Sequence, residues 1–305
     1  MKLTQENFDR AALFVKNHAR AIDRCLFAYH FEHGPAGDVL DALRAYQNPD
    51  GGFGHAIEPD FRLPSSSPMA TSVGLQTCLA VGAPPDHPIL QAAVTYLVNT
   101  YQTDGDYWPA LPLEVNDHPH AFWWGREDVS APPESAWANP TAELVGYLHY
   151  ARKGVPPSLL TRASERARQN LESGVAFGGE QLSFYQLLTW ERATAFLPEG
   201  LANDARDRIL TAYRSLRPLT QEKLAELPVI ALLDFREPVA VQAFPDEIDP
   251  LLDNIIQTQA EDGAWWPAWH WGQYEDMWEV AKKEWAGRIT VDCLHTLKNF
   301  GKLPR

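Results

Sequence analysis

Two carboxylates flank a proline in the segment GHAIEPDF, where Glu58 and Asp60 follow His55 at close spacing. The residue before a proline favours extended backbone, so both acidic side chains can be held toward the same side of a loop. Burial or a neighbouring like charge would raise the pKa of one carboxyl group enough for it to donate a proton. The segment therefore predicts acid–base chemistry; the alternative is that these side chains cap the next helix or face water.

Two other loops are rich in tryptophan and could form the walls of a binding pocket. The negative face of an indole ring stabilises a carbocation, and it stacks equally well on a sugar ring. The alternative is packing around a turn, which we favour for Phe53, Tyr107 and Trp265. We predict substrate contacts, the last three of them at the mouth of a cavity, from Trp108, Trp123, Trp124, Trp137, Trp266, Trp269, His270 and Trp271.

Metal sites are not expected in this sequence. The acidic group Asp246, Glu247 and Asp249 could hold magnesium only if the ligand were a diphosphate, and capping of the following helix is the favoured interpretation. His118 and His120 have no further ligands at a suitable spacing, so they are interpreted as loop histidines in contact with water. We therefore predict no metal and no cofactor.

An internal repeat indicates the elements that must position these side chains. The stretches AYQNPDGGFG, TYQTDGDYWPA and TQAEDGAWWPA each place a glutamine before Asp-Gly and an aromatic residue two positions after the glycine. The glycine moves from position 51 to 105, a step of 54, and then to 263, a step of 158. The longer step is close to three repeats of about 53 residues, so roughly six units would fill the chain.

The residues between these turns have helical spacing. A threonine follows each turn and begins a run of apolar residues at steps of three and four, as in Thr71, Leu75 and Leu79. Alternating runs are nearly absent, so we predict an all-α protein built from helical hairpins. A single hairpin cannot bury its apolar face, and six stacked hairpins can close into a ring. The prediction is an (α/α)6 toroid, a double ring of helices around a central cavity, in one domain over residues 1–305.

The turn motif carries a resemblance to a known superfamily. The pattern Gln-x3-Gly-x-aromatic, seen as QNPDGGF and QAEDGAW and shortened as QTDGDY, resembles the QW repeat of terpenoid cyclases and protein prenyltransferases. The segment QNPDGGFGHAIEPDFRLPSSSPMATSVGLQTCL is similar to a prenyltransferase-type repeat. This resemblance implies the same toroid, with a pocket at one end lined by residues that follow the GGF-type turn.

The catalytic motifs of that superfamily do not carry over to this chain. The Asp-x-Asp-Asp box that protonates an alkene in cyclases is absent. Prenyltransferases bind zinc through an Asp-x-Cys arrangement, whereas Asp292 and Cys293 are adjacent here, with His295 nearby. Neighbouring positions on a helix point about 100° apart, so this pair is poorly placed to share one ion, and no zinc site is expected.

Charge and cysteine content restrict the partners and the compartment. Lysine and arginine total 26 against 40 acidic residues, so the net charge of -14 would repel nucleic acid. The cysteines, Cys25, Cys78 and Cys293, are odd in number and far apart, which is typical of buried thiols in a reducing compartment. The N-terminal segment lacks signal-peptide character, and no apolar run approaches the roughly 20 residues of a membrane span. We expect a cytoplasmic protein with a small-molecule ligand; the sequence does not indicate its oligomeric state.

These observations lead to one hypothesis and two alternatives. The chain is expected to bind an apolar or isoprenoid-like molecule in the central cavity, with acid catalysis by Glu58 or Asp60 and with tryptophans stabilising positive charge. The first alternative is a carbohydrate-active (α/α)6 enzyme such as a glycoside hydrolase, which also needs two carboxylates. The second is a toroid that binds a ligand without catalysing a reaction.

Overall fold

The computed structural model describes residues 1–126, 132–179, 182–217, 233, 235 and 237–304. This part of the chain is helical, with isolated β-bridges and no β-strand, so the predicted all-α class is confirmed. The chain divides into two compact units. Unit 1 comprises Met1–Ala42 with Tyr213–Arg305, and unit 2 comprises Leu43–Ala212. The single domain predicted over residues 1–305 stays a prediction about how these units assemble.

The helices of the described residues follow one another without sheet elements between them. In chain order they are α1 Gln5–His18, α2 Ala21–Phe31, α3 Ala36–Leu43, α4 Pro68–Ala80, α5 Pro88–Thr100, α6 Ala138–Tyr150, α7 Pro157–Glu172, α8 Phe184–Thr194, α9 Glu199–Ser215, α10 Val239–Ala243, α11 Ile248–Gln257 and α12 Glu275–Asn299. Short 3-10 turns lie at Arg44–Tyr46, Leu113–Asp117, Phe122–Trp124 and Glu134–Ala136.

Hydroxyl side chains define where several helices begin. Thr4 accepts a hydrogen bond from the Asn7 amide at the start of α1, and Ser67 accepts one from the Ala70 amide at the start of α4. Each bond satisfies a backbone donor that has no partner within the helix. Because Ser67 caps α4, this role is not taken by the carboxylates of the preceding loop.

Unit 1 brings together the two ends of the chain. Helices α1 and α2 pack against α12, which is 25 residues long. Helix α11 buries the apolar side chains Leu251, Leu252, Ile255 and Ile256 along one face, as their spacing predicts. The N-terminal and C-terminal helices therefore share one hydrophobic core within this unit.

Unit 2 is organised around α6, which packs most extensively on α8 and also contacts α4 and α7. The close approach to α8 depends on Gly146, because a Cβ atom there would lie 3.0 Å from the Cα of Ala193. Helices α4 and α6 follow the first and second turns of the sequence repeat. The packing of α4, α6 and α8 therefore fixes the position of the loops that lead into α4 and α6.

The first and third turns have the same hydrogen bonds. Gln47 Nε2 donates to the Gly51 carbonyl oxygen at 2.9 Å, and Gln259 Nε2 donates to the Gly263 carbonyl oxygen at the same distance. Both glycines have left-handed backbone, with φ of 90° and 91°. The conserved spacing between glutamine and glycine within this one sequence therefore has a geometric cause, since the side-chain amide closes the turn.

A neighbouring helix leaves no room for a side chain at either glycine. A Cβ atom at Gly51 would lie 2.2 Å from the carbonyl oxygen of Ala92 in α5. One at Gly263 would lie 2.4 Å from the carbonyl carbon of Arg10 in α1. Glycine is thus required by both the positive φ and the close approach of a rigid backbone.

The aromatic residue of each turn is fixed by the threonine that begins the next apolar run. The backbone amide of Phe53 donates to Thr71 Oγ1 at 3.1 Å, and that of Trp265 donates to Thr290 Oγ1 at 3.1 Å. The predicted packing role of these two aromatic residues agrees with their burial. The turn and its following helix therefore form one hydrogen-bonded unit.

The second turn corrects the predicted alignment by one residue. Trp108, and not Tyr107, donates its amide to Thr141 Oγ1 at 3.3 Å and is buried. Asp106 has a left-handed φ of 56°, so the chain takes one more residue after Gly105 before the aromatic side chain turns inward. The spacing from glutamine to the buried aromatic residue is six in all three turns, whereas the glycine moves.

Among the described residues, no helix is both long enough and apolar enough to span a lipid bilayer.

Candidate functional site

Glu58 and Asp60 lie in the loop between the first turn and α4, and both are buried, with exposed fractions of 8% and 5%. Glu58 Oε2 accepts a hydrogen bond from the Asp60 amide at 2.8 Å, which folds the first carboxylate back over the second residue. Neither side chain is the solvent-facing group that the alternative interpretation required. The predicted pair of acids is therefore held inside unit 2.

A second loop of unit 2 is hydrogen-bonded to this acidic loop. The Arg62 amide donates to the Pro119 carbonyl oxygen, and the Ala121 amide donates to the Asp60 carbonyl oxygen, both at 2.8 Å. Phe61 and His120 form an antiparallel bridge between these bonds. The carboxylates and the aromatic segment that follows Ala121 are thus brought together by backbone contacts.

Tyr185, at the start of α8, faces the same acids. Partial desolvation and the negative charges of Asp60 and Glu58 raise the pKa of its hydroxyl group. The phenol therefore stays protonated at neutral pH and can donate a hydrogen bond beside the acidic pair.

Exposed aromatic side chains follow Ala121 in the loop that is hydrogen-bonded to the acidic loop. Phe122 and Trp123 are 65% and 40% exposed, and their rings meet edge to face with centroids 5.0 Å apart. Trp124 lies half-buried, 5.7 Å from the ring of Phe61. Such groups of exposed apolar side chains mark binding surfaces more often than single exposed residues do. We call Glu58, Asp60, Trp123, Trp124 and Tyr185 the acid–aromatic site.

Two of the predicted substrate-binding tryptophans are packing residues in this structure. Trp108 and Trp137 are each 1% exposed. The Nε1 atom of Trp108 donates to the Leu97 carbonyl oxygen at 2.8 Å, and that of Trp137 donates to the Asp106 carbonyl oxygen at 3.0 Å. Their indole rings therefore support the second turn and α6, because no exposed ring face is left for a ligand.

The loop after the third turn belongs to unit 1 and holds the other predicted aromatic contacts. Trp266 is half-buried between the ring of Phe14 and Lys282, whose Nζ lies 5.6 Å from the indole centroid. Trp269 packs edge to face on Trp285. These contacts give Trp266 and Trp269 a partial packing role, with part of each ring accessible.

His270 and Trp271 differ sharply in exposure. His270 is exposed, with Nε2 3.0 Å from the carboxylate of Glu275. Trp271 is fully buried and packs 6.0 Å from Trp278. The structure therefore does not give Trp271 the accessible position expected at the mouth of a cavity, because its ring fills the core of unit 1.

His55 is separated from the chemistry predicted for it. Its backbone is left-handed, with φ of 54°, and its Nε2 atom lies 2.9 Å from Asn48 Oδ1. The imidazole is exposed and bonded to the first turn. His120 has the opposite outcome, because it is buried rather than solvated and its Nδ1 atom contacts the His118 carbonyl oxygen at 2.7 Å.

The acidic group before α11 does not converge on a metal position. Arg217 contacts Glu247 at 2.9 Å and Asp246 at 3.9 Å, whereas Asp249 pairs with Lys302 at 2.7 Å. Within the described ranges, no group of three or more metal-ligating side chains is found. Glu247 occupies the cap position of α11 without a side-chain capping bond, so the favoured capping interpretation is wrong for that residue.

A buried polar network in unit 2 was not predicted from the sequence. Glu143, inside α6, accepts hydrogen bonds from Gln76 of α4 at 3.1 Å and from the Tyr147 hydroxyl group at 3.1 Å. Arg192 of α8 lies 3.4 Å from the same carboxylate. Burial, and then the charge of Glu143, raise the pKa of Tyr147, so its hydroxyl group remains a donor. The network joins three neighbouring helices; a polar residue interrupting the apolar positions of α6 is its only trace in the sequence.

Comparisons with models of protein families, with curated proteins and with solved structures find no match to this chain.

Proposed function

We propose that the chain is an α/α toroid of the terpenoid cyclase and protein prenyltransferase type. The shared geometry of the turns at Gly51 and Gly263 supports this proposal, because recurring hairpins are the unit of such a ring. The packing of α1 and α2 against α12 within unit 1 also supports it, since a closed ring must join the two ends of the chain. In the proposed ring, the loops that follow the turns line the central cavity.

The function we propose is acid-catalysed conversion of an apolar, isoprenoid-like small molecule at the acid–aromatic site. The observation that carries it is a pair of buried carboxylates, Glu58 and Asp60, in a loop that is hydrogen-bonded to the segment leading into the exposed aromatic residues after Ala121. Burial away from water strengthens electrostatic interactions, so a positioned acid and aromatic faces can act on a developing cation. The same loop is where the superfamily would have its pocket.

The two acids have different roles in this proposal. The carboxylate of Glu58 accepts the Asp60 amide, and a hydrogen bond of this kind favours the ionised form of the acceptor. We assign proton donation to Asp60, and we assign to Glu58 the stabilisation of positive charge. The phenol of Tyr185 beside them can orient either carboxylate, because its raised pKa keeps it protonated.

The test is turnover of prenyl diphosphates and squalene-like lipids by the purified protein, with products separated by mass. We expect product from the wild type and none from Asp60→Asn, with a partial loss in Glu58→Gln. Asp86→Asn is the matched control, because that exposed acid lies in the loop between α4 and α5, outside the acid–aromatic site, and should leave turnover unchanged. Absence of both product and binding with every lipid would contradict the proposal.

A carbohydrate ligand is the second candidate, favoured by the exposure of Phe122 and Trp123 in the loop that is bonded to the acidic loop. Exposed rings on a surface can stack on the apolar face of a sugar, and a pair of acids can hydrolyse its glycosidic bond. The same variants assayed with a panel of aryl glycosides separate the two candidates. Release of the aryl group by the wild type, lost in Asp60→Asn, would favour the carbohydrate over the lipid.

A further inference from the structure

The loop from Asn116 to Arg126 is closed by its own first and last residues. Asn116 Nδ2 donates to the Arg126 carbonyl oxygen at 2.7 Å, and the Arg126 amide donates to Asn116 Oδ1 at 2.9 Å. The Ala121 amide anchors the middle of the loop to the Asp60 carbonyl oxygen. The loop is therefore a fixed structure, and its side chains are held in place beside the acid–aromatic site.

Trp124 has a buried hydrogen-bond donor with no acceptor. Its Nε1 atom is inaccessible to solvent, and no oxygen of the described residues accepts a hydrogen bond from it. An indole nitrogen can only donate, and a buried donor without a partner is unfavourable. Other indole nitrogens of the described residues do have acceptors, namely those of Trp108, Trp137, Trp190, Trp265 and Trp266. A ligand oxygen that displaces the side chains covering this nitrogen would supply the missing acceptor.

Arg126, two residues further on, also has a buried donor nitrogen without an acceptor, and its side chain is positively charged. Its Nε atom is buried without an acceptor, and no ion pair of its guanidinium group is found in the part of the chain that the structure describes. Other arginines of unit 2 are paired, as Arg162 is with Asp106 and Arg166 with Glu134. The planar guanidinium group suits an acceptor with two oxygens.

We propose that the loop 116–126 binds the oxyanion end of the ligand, a carboxylate or a phosphate, through Trp124 Nε1 and the guanidinium group of Arg126. The inference rests on the proposed function, because it specifies the chemistry of the molecule bound at the same site. Phe122 and Trp123 contact the apolar part of that ligand. The ligand is then amphipathic, with a charged end and an apolar body.

The electrostatics of the site also orient the ligand. The ionised carboxylate of Glu58 repels an anion, and Asp60, the proposed proton donor, is bonded through its carbonyl oxygen to the loop at Ala121. An oxyanion is therefore favoured at Arg126 and disfavoured at the acids. The ligand places its uncharged, reacting part toward the carboxylates and its anionic end toward the arginine.

The experiment follows the indole N–H signals of the full-length protein by two-dimensional proton–nitrogen NMR. The chain has 11 tryptophans, and the Trp124→Phe variant identifies the signal of interest by its loss. The probes are benzoate, inorganic phosphate and benzyl alcohol, the last being the uncharged counterpart of benzoate. We expect benzoate to shift the Trp124 signal saturably and benzyl alcohol to leave it unchanged. Phosphate shifts it as well if the oxyanion alone is sufficient, whereas a response to benzoate alone shows that the ring contributes; both results support the proposal.

Variants of arginine provide the decisive comparison. Arg126→Gln should weaken benzoate binding about tenfold or more, which corresponds to one lost charge-assisted hydrogen bond. Arg126→Lys keeps the charge and should retain part of the affinity, which covers the case in which the glutamine variant folds poorly. Arg168→Gln is the matched control, because this arginine of α7 is exposed and makes only a 4.0 Å contact with Glu165. Equal shifts with benzoate and benzyl alcohol, or unchanged binding in Arg126→Gln, would overturn the proposal.

The same titration in Asp60→Asn distinguishes this inference from the proposed function. Benzoate should bind that variant about as tightly as the wild type, because the substitution leaves the proposed contacts at Trp124 and Arg126 in place. If turnover depends on Asp60 while benzoate does not bind, the oxyanion inference fails and the proposed function stands. If benzoate binds through Arg126 while Asp60→Asn leaves turnover unchanged, the acid-catalysed function fails and the oxyanion site stands.

Discussion

The Trp-Gly pair that follows the second turn and the one that follows the third have the same sequence but different environments. In unit 1, Trp271 is fully buried against Trp278. In unit 2, Trp124 is only half-buried, and its indole nitrogen has no acceptor. The polar side chains next to these tryptophans also differ: His270 contacts the carboxylate of Glu275, whereas Arg126 has no ion pair among the described residues. Sequence repetition therefore preserves the turn, and the loop after it is free to become either core or binding surface.

The largest predicted effect concerns the turn, which both units share. Gly263→Ala should lower the free energy of unfolding by about 3–5 kcal/mol, because the added Cβ meets the backbone of α1 and the residue has a positive φ. Gly51→Ala should lower the free energy of unfolding by a similar amount, because its added Cβ meets the backbone of α5 in unit 2. Denaturant unfolding measures both changes.

Gly82→Ala is the control for this first prediction. Gly82 also has a positive φ, 68°, but nothing lies within 4 Å of the added Cβ. Its loss should be about 1–2 kcal/mol, the cost of the left-handed conformation alone. Equal losses in Gly82→Ala and Gly263→Ala would show that the close approach to α1 has no energetic role.

A smaller effect is expected at the threonine that fixes each aromatic residue. Thr290→Val keeps the shape but removes the acceptor of the Trp265 amide, which lies in the core. An unsatisfied buried donor costs about 1–3 kcal/mol. Thr95→Val should cost much less, because that hydroxyl group lies on the exposed face of α5 and bonds only to its own helix. Thermal unfolding of the two variants provides the test.

The turns could be predicted from the sequence because they are local. Gln259, Gly263 and Trp265 lie within seven residues, so their spacing is enough to define a turn and to indicate its buried aromatic side chain. The second turn shows the limit, since the left-handed conformation of Asp106 decides whether Tyr107 or Trp108 points inward. Such a choice between adjacent aromatic residues depends on backbone dihedral angles that composition does not specify.

The candidate site could be predicted only in part, because its members are distant in the chain. Glu58 and Asp60 stand out through their spacing, and their burial agrees with the predicted chemistry. Tyr185 lies more than 120 residues away and reaches the acids only through the packing of α8 against α6. The sequence alone predicts that His120 contacts water, because nothing local indicates its bridge to Phe61. Contacts of this kind depend on tertiary structure.

Unit 1 contains a pH-dependent contact without an equivalent in the acid–aromatic site. His30 stacks on His295 with ring centroids 4.1 Å apart. Burial, followed by the charges of His295, Lys298 and Arg288, lowers the pKa of His30 to about 3. In the unfolded chain this imidazole takes up a proton near pH 6.5, so the folded state loses stability as the pH falls from about 6.5 toward 3.

The size of this effect is limited to one proton, about 1.4 kcal/mol per pH unit, and solvent screening reduces it further. His30→Gln removes the titrating group and should flatten the acid side of the stability curve, while the value at pH 8 changes little. His18→Gln is a suitable control, because that histidine ends α1 outside the stacked pair. An unchanged slope in His30→Gln between pH 6 and 4 would contradict the assignment.

The smallest effect is expected at Trp124, in the loop that follows the second turn. Trp124→Phe and Trp265→Phe remove the same atoms, but only Trp265 loses a hydrogen bond, from Nε1 to the Ile255 carbonyl oxygen at 2.7 Å. The bond contributes about 1 kcal/mol, so Trp265→Phe should be less stable than Trp124→Phe by at least that amount. Trp124→Phe itself should change stability by less than about 0.5 kcal/mol, because it also removes a buried donor without an acceptor. A loss at Trp124 as large as that at Trp265 would mean that the indole nitrogen already has a partner within the protein, and the position would then be scaffold in both units.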